Sequence, residues 1–218
     1  TRGDSLEAKL SRIQNAGLDI SAGFIVGFDN DDKLIFEDQY NFIQNNGVLL
    51  AMVGMLGAIP TTPLYKRLEE EGRLFLEDPN CNFEPKQMTR DELKEGYWDL
   101  VEKLYTPEAF MERYLHSFKY PEYHKRRAEM CDKAHEGKFI PTLGFGVIMT
   151  WNLFWTLIKD RSFMRLAPAY LRYYRKARKY RKDVIGFAQF ANRCVTHFHF
   201  FRFTREAREG KLRTYNSG

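Results

Sequence analysis

Three groups of side chains in this 218-residue sequence are of types that do chemistry: the cysteines, a pair of close histidines, and a run of arginines and tyrosines. Cys81, Cys131 and Cys194 lie far apart and form no CxxC pair. Metal clusters and disulfide frameworks need thiols at short, repeated spacing, so each cysteine reads as a small buried side chain in a reducing cytoplasm. His197-Phe198-His199 would put both imidazoles on one face of a strand, but not of a helix. No third ligand stands near them in sequence to complete a metal site, and His116, His124 and His135 read as surface or hydrogen-bonded histidines. Arg172, Arg175, Lys176, Arg178, Lys179, Arg181 and Lys182 alternate with Tyr170, Tyr173, Tyr174 and Tyr180. Upstream, residues 144–158 form an apolar segment that holds Trp151 and Trp155, with Lys159 and Arg161 just after it. That segment falls short of the ~20 residues that span a bilayer. The combination suits a helix lying on an anionic membrane surface; a buried helix followed by a solvated basic one accounts for the same residues. Nucleic acid would also be drawn to such charge, but no recognised binding motif accompanies it.

The elements that must position these groups follow from periodicity. At 44% hydrophobic and 15% aromatic residues, the chain can bury one sizeable core, or a medium one and a small one. Charge is unevenly spread: residues 1–110 hold 11 Lys/Arg against 20 Asp/Glu, while residues 111–218 hold 23 against 9. Such a shift points to two regions, with the boundary near residues 76–85, where Asp78-Pro79-Asn80 reads as a linker. In the first region, Asp4-Ser5-Leu6-Glu7 is similar to a capping box, Leu6, Leu10 and Ile13 recur at helical spacing, and Gly17 ends the helix. The apolar run from Ile20 to Phe28 has strand length. A helix with Phe36, Tyr40 and Ile43 inward follows it, ending at Asn46-Gly47. A second apolar run at 48–59 closes at Pro60-Thr61-Thr62-Pro63, and Leu64 and Leu68 mark a third helix that Gly72 stops. Helix and strand alternating through short connections predict parallel βα units. Two strands alone would leave unpaired edges, so they read as part of a larger sheet. The second region is helical: Thr89-Arg90-Asp91-Glu92 is another capping box, followed by Leu93, Tyr97, Leu100, Val101 and Leu104, and Pro107 opens a further helix.

The residues Gly23-Phe24-Ile25-Val26-Gly27-Phe28-Asp29 resemble the fifth-strand motif, roughly Gly-x-Ile-x-Gly, of the radical S-adenosylmethionine (SAM) partial barrel. Order and spacing extend the likeness. Ala16-Gly17-Leu18 precedes the strand as a matching phrase does in that family. Ala58-Ile59-Pro60-Thr61-Thr62-Pro63-Leu64-Tyr65 is similar to its Pro-Gly-Thr-Pro-Leu-Tyr phrase after strand six, and Glu71-Gly72-Arg73-Leu74 to its helix ending. Thr61 stands where the family has glycine, and Asp29-Asn30-Asp31 where many members have Pro-Gly-Glu. The wording from Val26 to Asp32, with Phe36 and Phe42-Ile43-Gln44, resembles the subgroup that carries an N-terminal cobalamin-binding domain, a radical SAM barrel and a helical C-terminal domain. Some of its members methylate polycyclic lipids such as hopanoids. Asn82-Phe83-Glu84-Pro85 and Glu95-Gly96-Tyr97 fit the same C-terminal extension.

The resemblance implies an α/β then mostly α chain: residues 1–76 as the C-terminal βα units of a partial (βα)6 barrel, and residues 77–218 as a basic helical domain. It implies radical SAM chemistry for the parent protein, cobalamin-dependent methyl transfer or a related carbon-centred modification. The chain's own share would be part of the adenosine wall, with Gly23, Ile25, Gly27, Asp29 and Gly54 as the SAM-binding residues. Glycine there lets a planar base approach the backbone, with plain strand packing as the alternative. Asp29 stands at the C-terminal mouth of a strand, where catalytic groups project, and is read more simply as a helix N-cap or turn residue. The family's CxxxCxxC motif, which ligates a [4Fe–4S] cluster, and its Gly-Gly-Glu phrase have no counterpart here. The cluster and cobalamin would then belong to the rest of the barrel and the cobalamin-binding domain, the expected partners of this chain. The first residue is Thr1 rather than methionine, which predicts preceding residues, and no targeting pattern is visible at Thr1-Arg2-Gly3-Asp4. The expected location is the cytoplasm, with peripheral attachment to an anionic membrane or a lipid substrate. A non-catalytic helical module that docks the enzyme to a membrane or a partner protein is the competing reading.

Overall fold

A computed structural model describes residues 3–78, 81–134, 148, 151, 155, 159–180, 182 and 184–211. His135, Arg181, Pro79 and Asn80, most of the apolar segment 144–158 and the Cys131 side chain lie outside the described residues. The chain divides into two compact units, Ser21–Leu104 and the pair Thr1–Ile20 with Tyr105–Gly218.

The unit Ser21–Leu104 runs β1 (Ser21–Val26), α2 (Ile35–Asn45), β2 (Leu50–Met55), α3 (Pro63–Glu70) and α4 (Arg90–Leu104), after α1 (Leu6–Asn15) in the other unit. β1 and β2 pair in parallel, from Ser21 opposite Leu50 to Val26 opposite Met55. The α/β arrangement expected of the first region is therefore present, as a two-stranded sheet among the described residues. Both strands are shorter than their apolar runs, and β1 ends where Gly27 (φ 104°) turns the chain away after Val26. α2 and α4 pack together and α4 lies against β2. This works because Gly96 has no side chain: a Cβ there would overlap the Phe36 ring of α2. Thr89 and Glu92 start α4 as a reciprocal capping box, the Thr89 N–H donating to the Glu92 carboxylate at 2.9 Å and the Glu92 N–H to Thr89 Oγ1 at 3.2 Å. The Lys33 ammonium first, and the Thr89 amide next, hold the Glu92 carboxyl down at about 2.

The other unit is helical, with α1, α5 (Pro107–His116), a 3₁₀ turn at Ser117–Lys119, α6 (Tyr123–Ala134), α7 (Arg161–Ala177) and α8 (Val184–Arg208). The α1 cap sits one residue later than its capping-box reading: Ser5 caps Ala8, and Asp4 pairs with Arg12 instead. Its apolar stripe also stays largely outside, with Leu6 and Ile13 exposed and Gln14 buried. Asp19, just after α1, is held by Arg127 at 3.0 Å, by Tyr123 Oη at 2.6 Å and by Arg193, so it ties the segment before β1 to α6 and α8. Tyr170 and Tyr173 of the basic, tyrosine-rich stretch face inward. They extend an aromatic core with Phe110, Tyr114, Phe190 and Phe198, while the cations point outward.

Candidate functional site

Strand alternation and parallel register together sort the residues of β1 and β2. Gly23 stands opposite Met52 and Ile25 opposite Gly54, so these four share one face. That face is uncovered within the unit: Ile25 is 49% and Met52 58% exposed. A Cβ built on Gly54 meets nothing within 4 Å, and one on Gly23 meets only the Met52 carbonyl at 4.0 Å. The opposite face is closed. Phe24 meets Phe42 of α2 edge-on at 6.2 Å, and Val26 and Ala51 are fully buried. A half-buried apolar floor with bare backbone at two positions can accept a flat, mostly apolar ring system by stacking and exclusion of water. Three of the expected SAM-binding residues, Gly23, Ile25 and Gly54, come together there. Met52 joins them, and its place two residues before Gly54 in a strand was the available signal.

Gly27 stands apart from that face. Its φ of 104° lies in the left-handed region, and a Cβ would come within 2.9 Å of Leu93 of α4. The fold needs a glycine there for conformation and for the seating of α4. Just beyond, Asp31 accepts hydrogen bonds from the Gly27 and Phe28 amides, both at 2.9 Å, closing the turn at the strand mouth. Asp29 takes no capping role. Its two oxygens meet Arg73 and Arg67, each at 2.8 Å, with Lys86 at 3.8 Å. Glu71 shares all three cations, and the Gln87 side chain donates to the Asp29 carbonyl at 3.3 Å. The hydrogen bond from Arg73, more than any other contact, holds the Asp29 carboxyl below the usual carboxylate range. Asp29 is thus an ionised hub that fixes two arginines beside the C-terminal ends of the strands. Sequence order hid those partners, since they follow Asp29 by 38 and 44 residues.

After β2, the Asn82 side chain acts as a short extra strand: Nδ2 donates to the Ala58 carbonyl at 2.8 Å and Oδ1 accepts from the Ala58 amide at 2.9 Å. Phe83 fills a small core with Ala58 and Leu68. Thr61, in the same loop, is the one non-glycine residue with positive φ, 72°, among the described residues.

The pattern of the family described as "Domain of unknown function (DUF4070)" matches residues 62–212, more than half of the chain. The chain belongs to this family. DUF4070 is found in cobalamin-binding radical SAM enzymes, and the chain is hopanoid-methylase-like in that sense. Among curated relatives, hopanoid C-2 methylase of Rhodopseudomonas palustris is 27% identical over 148 residues, covering 66% of this chain and 27% of the relative. Bacteriochlorophyllide d C-12(1)-methyltransferase of Chlorobaculum tepidum is 30% identical over 111 residues, covering 49% of this chain and 24% of the relative. An uncharacterized methyltransferase of Synechocystis is 30% identical over 125 residues, covering 53% and 23%. The chain thus spans about a quarter of the length of the curated relatives it matches. No solved structure matches it.

Of the other chemistry-bearing side chains of this DUF4070 chain, Cys81, Cys194 and His197 are buried. Cys81 and Cys194 are buried in different units, and burial pushes both thiols up, so neither supplies a thiolate. Among the described residues no group of three or more metal-ligating side chains forms. His197 and His199 lie on α8, a helix, and point to different sides: His197 is fully buried, His199 is exposed. His197 Nε2–H donates to the Tyr105 carbonyl at 2.9 Å, and its Nδ1 accepts from the Tyr170 hydroxyl at 2.6 Å. Burial pushes its pKa down to about 4, against the hydrogen bond from Nε2. No described helix is long and apolar enough to cross a membrane.

Proposed function

We infer that the chain is the C-terminal part of a radical SAM methyl-transferring enzyme. In this reading residues 1–76 complete a partial barrel and residues 77–218 form its helical C-terminal domain. The uncovered face of β1 and β2 is then the inner barrel wall, and Gly23, Ile25 and Gly54, joined by Met52, lie against the adenosine of SAM. The observation that carries the reading is the register, which gathers the glycines and the exposed apolar side chains onto one face while α2 and α4 close the other. A barrel distributes its sheet in this way, with helices outside and a ligand cavity within. Asp29, through Arg67 and Arg73, would set the charge beside the ligand's polar end.

The described residues do not fit a [4Fe–4S] cluster, since Cys81 and Cys194 are buried, one in each unit, and burial favours the protonated thiol at both. In the proposal the cluster and cobalamin reside on the remaining barrel strands and the cobalamin-binding domain. The substrate class follows the relatives named for hopanoid and bacteriochlorophyllide methylation. Ultraviolet crosslinking of radiolabelled SAM tests the wall: label is expected on the peptides that carry Ile25 and Met52. Label confined to peptides from the helical unit would refute it.

A further inference from the structure

The two outer faces of α7 differ in how their cations are used. Arg172 and Lys176, one helical turn apart, reach α5 and pair with Glu108 at 2.5 Å and Glu112 at 2.7 Å. Arg175, Arg178 and Lys179 are exposed and, among the described residues, make no ion pair. Arg175 and Arg178 follow Leu171 at i+4 and i+7, on the helical row that begins with Met164. On this row Met164 and Leu171 are themselves exposed. Beside it, α7 and α8 enclose an apolar cleft of about 190 Å³ whose walls include Phe163, Leu171, Tyr174, Phe187 and Phe190. Leu171 on one side and Phe187 on the other stand 52% and 39% exposed at its rim. Just upstream, the helical residues Ile148, Trp151 and Trp155 are exposed as well, and the Lys159 ammonium lies 5.4 Å over the Trp155 ring.

We propose that this face of α7 and α8 docks on an anionic bilayer surface, Leu171 and Phe187 inserting between acyl chains and Arg175 and Arg178 meeting lipid phosphates. The charge argument selects the occupant. An apolar protein partner would have no use for a row of unpaired cations at the cleft's edge, whereas a leaflet of anionic headgroups over acyl chains matches both layers at once. The exposed tryptophans, amphipathic rings that settle at the water–lipid boundary, are of the same kind. Attachment is interfacial; no described helix is both long and apolar enough to cross a bilayer. This surface belongs to the helical unit and the proposed SAM wall to the other, and its test does not depend on SAM.

The test is co-sedimentation of the 218-residue chain with vesicles of pure phosphatidylcholine and of two parts phosphatidylcholine to one part phosphatidylglycerol. Binding is expected to the mixed vesicles and to fall as salt rises. Arg175→Ala and Arg178→Ala should each weaken it about fivefold, the share of one surface cation. Lys176→Ala, which removes the same charge from an already paired position, should change it less than twofold. Leu171→Asp and Phe187→Asp, both at solvent-exposed positions and checked for an unchanged circular dichroism spectrum, should abolish it. Absence of binding to the mixed vesicles overturns the proposal. So does equal loss in Lys176→Ala, unaltered binding by both aspartate variants, a dimer that forms through this face, or retention on an RNA homopolymer in preference to vesicles.

Discussion

Thr61 holds a backbone conformation that a β-branched residue adopts only under constraint. Its neighbours supply that constraint: Thr62 Oγ1 donates to the Ile59 carbonyl at 2.7 Å and caps α3, and Ala58 is clamped by Asn82. Left-handed φ costs a non-glycine residue roughly 1–2 kcal/mol, partly offset when glycine enlarges the freedom of the unfolded chain. Thr61→Gly should therefore raise stability by about 1 kcal/mol, read as a shift in denaturant midpoint; a loss would show that the threonine side chain holds the loop. The departure at this position was legible in sequence as a missing glycine, but its conformational consequence was not. His197 is a second case. Its folded pKa, about 4, lies below the ordinary 6.5, so between these values the unfolded chain binds the proton and the folded one does not. Stability is then full above about pH 6.5 and falls as pH drops, by about 2 kcal/mol between pH 7 and 5. Denaturant titrations at the two pH values check this, and His197→Gln should remove that share of the fall. Nothing in the His-x-His spacing revealed the buried position, because the Tyr105 and Tyr170 partners are 92 and 27 residues away.

The signals that survive at the scale of elements are those written in adjacent residues. The Thr89–Glu92 box, proline at the first position of α3 and α5, and the glycine stops after α1, α2 and α3 all lie within one turn of the helix end they define. The start of α1 shifted by one residue because Asp4 and Ser5 are both competent caps, and the neighbouring Arg12 engages Asp4. The tyrosines of α7 read ambiguously for a related reason. A 3.6-residue period places Tyr170, Tyr173 and Ala177 on the buried side and Arg172, Arg175 and Arg178 outside, which only the packing of α5 and α8 reveals. Gly96 in α4 belongs here too. Alanine would gain about 1 kcal/mol of helix propensity but would drive a methyl into the Phe36 ring and separate α2 from α4. Gly96→Ala is expected to destabilise the chain by about 1–3 kcal/mol despite that gain, and an increased thermal midpoint would contradict the close approach of the two helices.

At the scale of the whole molecule, the two strands are the least self-sufficient part of the chain. Each has one neighbour among the described residues, so each leaves a row of backbone groups unpaired, next to an apolar face that no helix of the unit covers. The isolated chain should self-associate through these edges, and light scattering at ordinary salt should show species larger than a monomer; a monodisperse monomer would argue against strands awaiting neighbours. The two-strand shortage was legible from the count of apolar runs. The sidedness of the sheet was not, since it depends on register, and a slip of one strand by one residue would have put Gly23 and Ile25 on the opposite face from Gly54. The claim that this face meets the adenosine of SAM is tested most directly by calorimetric titration of SAM into the chain and into Gly54→Val. Gly54 has open space around it, so the valine alters the face without disturbing the fold. The account predicts weak, saturable binding to the wild-type chain that the variant loses; equal binding by both, or no saturable heat from the wild type, would contradict it.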